Sequence, residues 1–431
     1  MMSWLRRFDP FRFSRVLWRS WRDEVTTPGK WVVGVSLAAA LGTVSVQAPI
    51  YQVFCGLAAL FLTAMFAGFF VWPNVKFTGR LPEKTTAGMP LTGNITITNR
   101  SLRPALDVSI GFFDLPESIQ QLDADRALAT LGRRESAVMP VTLLPSRRGQ
   151  YELPPLRSYT TFPFHLFRIG NTRHDVEPLL VLPSFHPLES LDIPMATRYQ
   201  PGGIALTSRV GESMEYIGNR EYVPGEPARR LDFRSWARLG RPVVREFQEE
   251  YYCRVALVLD TQLSSPSMKS GFVGSLLRRL ARRWNNAENP AFEAAVSMTA
   301  AVAESLSHGE YIIDLFAAGP DLHVFRSGRH TAHFENVLEL LACVETSSAD
   351  PIETLLPALS EELASVSTAV CVLLDWDVSR RRLVQAIREV GCELKIVIVR
   401  DGETTLPIDG EDAEFIRVSP AAVQSGEVVE L

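Results

Sequence analysis

The feature that most constrains this chain is a run of 45 positions, Trp31 to Val75, without one charged residue. A helix needs roughly 20 apolar residues to cross a bilayer, so the run is long enough for two crossings. Gln47, Ala48 and Pro49 interrupt it, and proline breaks or kinks a helix there. The reading is a transmembrane helical hairpin over residues 31–72, Trp31–Val46 followed by Ile50–Trp72, with a tryptophan at each outer end as interfacial belts favour. A buried core pair seldom avoids charge over such a length.

The flanks orient the hairpin. Arg6, Arg7, Arg12, Arg15, Arg19, Arg22 and Lys30 precede it, Lys76, Arg80 and Lys84 follow it, and the turn between the helices carries no charge. The positive-inside rule places both flanks in the cytoplasm, giving a multi-pass protein of the inner (plasma) membrane with cytoplasmic soluble domains. Residues 1–30 interleave Trp4, Phe8, Phe11, Phe13, Leu17, Trp18 and Trp21 with those arginines, the make-up of a basic amphipathic segment on anionic headgroups. A cleavable signal peptide is the rival reading, since Val46-Gln47-Ala48 has the small residues of a cleavage site. Pro49 follows at once, however, and the basic region is longer than a signal's.

The remainder of the 431 residues suffices for two or three domains at roughly 100–200 residues each. A net charge of −5 argues against a general nucleic-acid coat. The five cysteines, Cys55, Cys253, Cys343, Cys371 and Cys392, are odd in number and lack CxxC spacing. They read as reduced thiols rather than a disulfide framework.

From residue 76 to about 190 the text changes to short alternating runs. Leu91–Thr98, Val108–Phe113 and Ser136–Leu144 have the period of two that half-buried strands require, with Pro and Gly between them. Such repetition predicts a β-sandwich-like domain, a spacer or docking module.

Residues 191–252 form a linking segment whose densest chemistry is GNREYVPGEPARRLDFRSWARLGRPVVREFQEE, from Gly218 to Glu250. Pro227 can open a helix and Gly240 can close it. In that helix Arg230, Arg234 and Arg238 share one face. Two uses compete for these arginines: an internal ion-pair lattice with Glu221, Glu226, Asp232 and the glutamates beyond, or an anion- or partner-docking face. The interleaved acids argue against nucleic acid.

This stretch resembles the signature of the family called domain of unknown function 58, R-E-Y-x-x-G-D-x-x-R-x-I-x-W-x-x-x-A-R. The matching residues are Arg220, Glu221, Tyr222, Gly225, Glu226, Arg229, Leu231, Asp232, Phe233, Ala237 and Arg238. Glu226 stands where Asp is usual and Phe233 where Trp is usual. Upstream, Arg148-Gly149-Gln150-Tyr151 is similar to the family's R-G-x-Y turn, and Phe162-Pro163-Phe164-His165-Leu166-Phe167 to its D-P-F-G-L-F segment. There Phe162 replaces an aspartate and His165 a glycine.

From Cys253 to Leu431 the pattern is alternating strands and helices, which predicts a doubly wound α/β sheet. Arg254–Asp260, Val370–Leu374 and Leu394–Val399 read as buried strands. Tyr311–Ala317 with Leu322–Phe325 reads as a strand pair, and Ala291–Leu306, Val337–Val344, Ile352–Leu363 and Arg380–Val390 as helices. Placed after that signature, the domain resembles a von Willebrand factor A-type domain. The resemblance implies a divalent cation such as Mg²⁺ held by a D-x-S-x-S motif, here Asp260, Gln262 and Ser264, with Asp375 as the distal acid. The alternative is an inert strand-end aspartate hydrogen-bonded to its own loop.

Other constellations point away from catalysis. His330 and His333 lack a third ligand for zinc. There is no GxxxxGK[ST] loop and no G-x-S-x-G elbow. The basic stretch Leu276–Trp284 reads as a solvated or membrane-facing surface. The expected function is a non-enzymatic, membrane-anchored adaptor or protein-binding module without a cofactor. The resemblance implies a MoxR-type AAA+ ATPase as partner, acting in maturation of other complexes. The alternatives are a divalent-metal-dependent enzyme using Asp260 and Asp375, and a surface adhesion protein with its soluble part outside.

Overall fold

The computed structural model describes residues 24–41, 49–194, 210–223, 231–248, 253–263, 289–309, 311–318, 322–326, 334–347, 350, 356–357, 359, 363, 366–408 and 415–431. The chain divides into two compact units, Met1–Leu182 and Pro183–Leu431. The expected helix Ile352–Leu363 lies mostly outside the described residues. The basic stretch Leu276–Trp284 and both His330 and His333 lie wholly outside them.

In the first unit α1 (Thr27–Leu41) and α2 (Pro49–Phe70) pack against each other. Pro49–Gly68 within α2 is long and apolar enough to cross a membrane, and only 6% of that window is buried. A core helix of a water-soluble protein would hide such a surface. The expected span Trp31–Val46 is described only as far as Leu41. At 15 residues α1 rises about 22 Å, less than the roughly 30 Å of a hydrocarbon core. Residues 42–48 lie outside the described residues.

Eleven strands follow: β1 (Val75–Thr78), β2 (Lys84–Thr86), β3 (Leu91–Asn99), β4 (Ala105–Gly111), β5 (Ile119–Gln121), β6 (Ala127–Leu131), β7 (Ser136–Pro145), β8 (Gly149–Tyr151), β9 (Leu156–Thr160), β10 (Ile169–His174) and β11 (Leu179–Leu182). Two four-stranded antiparallel sheets, ordered β1-β3-β7-β5 and β10-β9-β4-β6, share one apolar core with the smaller sheet β2-β11-β8. Alternation places the side chains: Ile95 and Ile97 of β3 and Val141 and Leu143 of β7 face inward. Hydroxyl pairs Thr92–Thr142 and Thr98–Ser136, at 3.1 and 2.8 Å, sit on the outer face.

The helices are rooted in this unit. The Thr26 amide donates to Leu166 O at 3.1 Å and the Arg168 amide to Glu24 O at 2.7 Å. Phe61 meets Phe167 edge-on at 4.7 Å. Gly68 is required for the fit, because a Cβ there would stand 1.9 Å from Ile169 Cδ1. His165, which replaces a glycine of the resembling segment, keeps the left-handed backbone that a glycine supplies freely, with φ +54°. Its amide donates to Thr161 O at 2.8 Å, and its Nδ1 lies 2.6 Å from Thr161 Oγ1.

The second unit contains β12 (Val210–Glu221), α3 (Phe233–Leu239), β13 (Val243–Gln248), β14 (Cys253–Leu259), α4 (Pro290–Ser307), β15 (Tyr311–Ala318), β16 (Leu322–Arg326), α5 (Phe334–Cys343), β17 (Thr368–Leu373), α6 (Val378–Glu389), β18 (Glu393–Val399), β19 (Phe415–Val418) and α7 (Pro420–Ser425). Six strands form one sheet in the order β16-β15-β14-β17-β18-β19, parallel except for β16 against β15. All six residues of β17 are buried, as a strand covered on both faces must be. Asn289 caps α4 and Pro290 opens it, where a missing N–H costs nothing. One face of the sheet joins Leu383, Val384 and Ile387 of α6 in a core around Trp376.

Residues 183–194 belong with this second unit, because their backbone is bound to β17, to α4 and to the C-terminal Leu431. Thr368 Oγ1 donates to Pro194 O at 2.7 Å, Ser297 Oγ to Ser184 O at 2.7 Å, and the Asp192 amide to Leu431 O at 2.8 Å.

Candidate functional site

In an open α/β sheet, ligands gather at the carboxyl ends of strands where the winding direction reverses. Here the reversal lies between β14 and β17: the chain leaves β14 for β15 on one side and returns to β17 on the other. Asp260 follows β14 and Asp375 follows β17, so the fold delivers both predicted acids to this point. Both are buried.

Their oxygens are occupied. Asp260 Oδ1 accepts from the Gln262 amide at 2.9 Å, and Oδ2 accepts from the Leu374 amide at 2.8 Å and Arg380 Nε at 2.7 Å. Arg380, on the first turn of α6, is fully buried. Its Nη2 donates to Gln262 O at 2.9 Å and its Nη1 to Asp377 Oδ2, while the Asp377 carboxylate caps the same helix. Burial alone would lower the guanidinium's pKa, but the Asp260 charge and hydrogen bond, with Asp377 and Asp375, raise it. It stays charged.

Asp375 Oδ1 accepts from the amides of Trp376 at 2.8 Å and Thr405 at 2.9 Å. Its Oδ2 accepts from Thr405 Oγ1 at 2.7 Å and faces Arg400 Nη1 at 2.5 Å. Burial works to raise this carboxyl, but the Thr405 hydroxyl and amide, the Trp376 amide and Arg400 together hold it below its ordinary value. On β17, burial and the Asp260 charge push the Cys371 thiol up to about 12, so it is an inert thiol.

As arranged, these groups do not fit a divalent ion. Magnesium and calcium require about six or more oxygen ligands with lone pairs to give. Here each acid already faces a guanidinium and backbone donors. Gln262 Oε1 is buried without a hydrogen-bond partner among the described residues, but one amide oxygen falls short of such a shell. Among the described residues no three His, Cys, Asp or Glu side chains are grouped to hold a metal. Ser264, the third residue of the expected ion set, lies outside the described residues.

The signature segment builds a second locus. β12 and β13 pair antiparallel, with Glu221 opposite Val243, Arg220 opposite Val244 and Asn219 opposite Arg245. The Tyr222 amide closes the hairpin on Pro242 O at 3.0 Å. The helix expected from Pro227 starts later: Leu231 bridges Val244 as extended chain, and Asp232 is the N-cap of α3. Arg234 and Arg238 therefore lie on this helix, whereas Arg230 lies outside the described residues. Gly240 ends it as read, with φ +69°. Gly225, Glu226 and Arg229 lie outside the described residues.

Asp232 organises the locus. Its Oδ1 accepts from the amides of Arg234 and Ser235 at 3.1 and 3.2 Å, and its Oδ2 from Ser235 Oγ at 2.8 Å and Asn219 Nδ2 at 3.2 Å. Arg245 Nη2 lies 3.7 Å from Oδ1. The Ser235 bonds are the main cause that holds the carboxyl well below the usual range. Two of the expected acids are ion-paired, but with arginines beyond the helix, Arg245–Asp232 and Arg241–Glu221, rather than with the helix arginines to which the lattice was assigned. Sequence reasoning missed Arg380 and the Asn219–Ser235 brace. Helix caps at Asp232 and Asp377 were the available signals.

This is a protein with an apolar helix of spanning length, a β-rich unit and a doubly wound α/β unit. The family described as "Protein of unknown function DUF58" matches residues 218–417, from the signature hairpin to β19. "Uncharacterized protein YeaD" of Bacillus subtilis is 24% identical over 323 residues, which is 68% of this chain and 74% of the relative. Among solved structures, the CARDB domain of PF1109 from Pyrococcus furiosus is 10% identical with a TM-score of 0.18, covering 26% of this chain and 95% of that domain. A cohesin module from a Clostridium perfringens family 33 glycoside hydrolase is 9% identical with a TM-score of 0.14, covering 25% and 97%.

Proposed function

We propose that this chain is a membrane-anchored, non-enzymatic adaptor whose α/β unit binds a protein partner. The observation that supports this most is Arg380: a buried guanidinium neutralises Asp260 at the strand ends, where a metal enzyme needs an ion with an open coordination position. In this reading the unit is a degenerate von Willebrand factor A-like domain that uses its outer surface for recognition. The partner expected from the resemblance is a MoxR-type AAA+ ATPase, whose nucleotide chemistry this chain lacks a P-loop to perform.

In the same proposal α1 and α2 form a two-pass hairpin at the plasma membrane, with both soluble units cytoplasmic. Cys343 is exposed, so a membrane-impermeant maleimide should label it only after permeabilisation. Labelling in intact cells would instead favour an external adhesion protein.

The adaptor reading is tested by crosslinking cells that express the full chain, solubilising in detergent, and comparing captured proteins with an untagged control by mass spectrometry. Specific enrichment of an AAA+ ATPase supports it. Absence of any such ATPase from a folded, abundant bait overturns the partner.

A further inference from the structure

The helix α3 is held firmly yet buries nothing. Its cap, Asp232, takes four hydrogen bonds from Arg234, Ser235 and Asn219, and Val243 and Val244 anchor the strand that follows. None of the seven residues of α3 is buried. Phe233, Trp236 and Leu239, three apart along the helix, are 64%, 37% and 50% exposed, with Phe233 and Trp236 stacked at 6.1 Å. Val223, beside the hairpin's end, is 55% exposed. Aromatics left in solvent on a helix whose first turn is capped have the composition of a contact surface.

Charge says what that surface attracts. Across residues 218–250 seven arginines nearly balance six acids, but α3 itself carries Arg234 and Arg238 and no acidic residue. Arg234 and Arg238 flank the apolar row and are exposed, and neither has an ion-pair partner among the described residues. The complement is therefore anionic and accepts apolar side chains. A seven-residue helix is only about 10 Å long. That covers too little for a stable protein interface, which takes about 800 Å² per partner. A bilayer surface demands no matching shape: binding follows apolar area plus attraction to anionic lipid, and aromatic and arginine side chains suit the headgroup zone. A chain already held at a membrane by α2 presents this patch at high effective concentration, so a weak contact suffices.

We propose that the Phe233–Trp236–Leu239 face of α3, with Arg234 and Arg238, docks on the surface of an anionic lipid bilayer. The proposal rests on the membrane-anchored reading, but it is tested separately from it. Full-length protein is reconstituted into nanodiscs of phosphatidylcholine alone or with phosphatidylglycerol, and amide exchange is followed by mass spectrometry. Co-elution with discs tests the anchor; failure to enter either disc overturns both readings. For inserted protein, exchange across residues 233–239 slows about tenfold in the anionic discs relative to the neutral ones. High salt removes that protection. The double substitutions Phe233→Ala with Trp236→Ala and Arg234→Gln with Arg238→Gln abolish it, with exchange in β14 and β17 unchanged. Equal exchange of 233–239 in both discs, for protein shown to be inserted, overturns the docking proposal and leaves the anchor standing.

Discussion

Two aspartate–arginine arrangements in the second unit use the same chemistry to opposite ends. At the strand ends, Asp260 and Arg380 are both buried, and the acid's other bonds go to its own loop and the neighbouring strand. In the signature hairpin, Asp232 is turned inward to cap α3 while Arg245 beside it is half-exposed and the helix's aromatics face outward. The first arrangement closes a place where ligands commonly bind. The second fixes a surface that remains open. A buried acid is thus no sign of a reactive site until its partners are counted, and an exposed aromatic carries more functional information when its support is rigid.

The largest expected effect comes from opening the closed arrangement. Replacing Arg380 with Met leaves Asp260 buried without its counter-charge, which costs about 3–5 kcal/mol. Urea unfolding of the detergent-solubilised chain, followed by tryptophan fluorescence, should show that loss; a change under about 1 kcal/mol would mean that solvent reaches Asp260 freely.

Acid pH should weaken the same region. Asp375 is held below its ordinary value of 3.8, so it binds its proton more readily in the unfolded chain. Its stabilisation is fully present above that value and fades as pH falls through the folded one. Asp375→Asn should therefore flatten the acid limb of a stability–pH curve, and an unchanged limb would show that Arg400 and Thr405 do not favour the charged form.

Removing the cap of the open arrangement is smaller. Asp232→Ala should cost about 1 kcal/mol, confined to the hairpin and visible as faster amide exchange over residues 233–239. Faster exchange in β14 and β17 as well would make the hairpin part of the sheet's cooperative unit. Least of all, Phe233→Ala with Trp236→Ala should leave global stability within about 0.5 kcal/mol, as exposed positions do. A loss several times larger would show that these rings are structural.

The sheet was the most legible part of this chain. Strands such as Thr368–Leu373 are continuous apolar runs that only burial on both faces explains, and the five expected strands differ from the observed spans by two residues or fewer, whereas the edge strand Phe415–Val418, short and half-exposed, was not read. The hairpin strands of the β-rich unit were legible by alternation, as in Leu91–Asn99. The start of α3 was not, because Pro227 and Asp232 both carry start signals and only the pairing of Leu231 with Val244 decides between them. Arg380 could not be seen from spacing at all: its partner Asp260 is 120 positions away, and only the meeting of β14 with the start of α6 joins them. A strand-end acid advertises a site in sequence, whereas the cation that closes it is a tertiary fact.

The most direct test of that closure is calorimetric titration of the purified full-length chain with Mg²⁺, Mn²⁺ and Ca²⁺, wild type beside Asp260→Asn. The closed arrangement predicts no saturable, stoichiometric heat in either protein. A one-to-one binding isotherm in the wild type that Asp260→Asn abolishes would contradict it and restore the strand-end acids as a metal site.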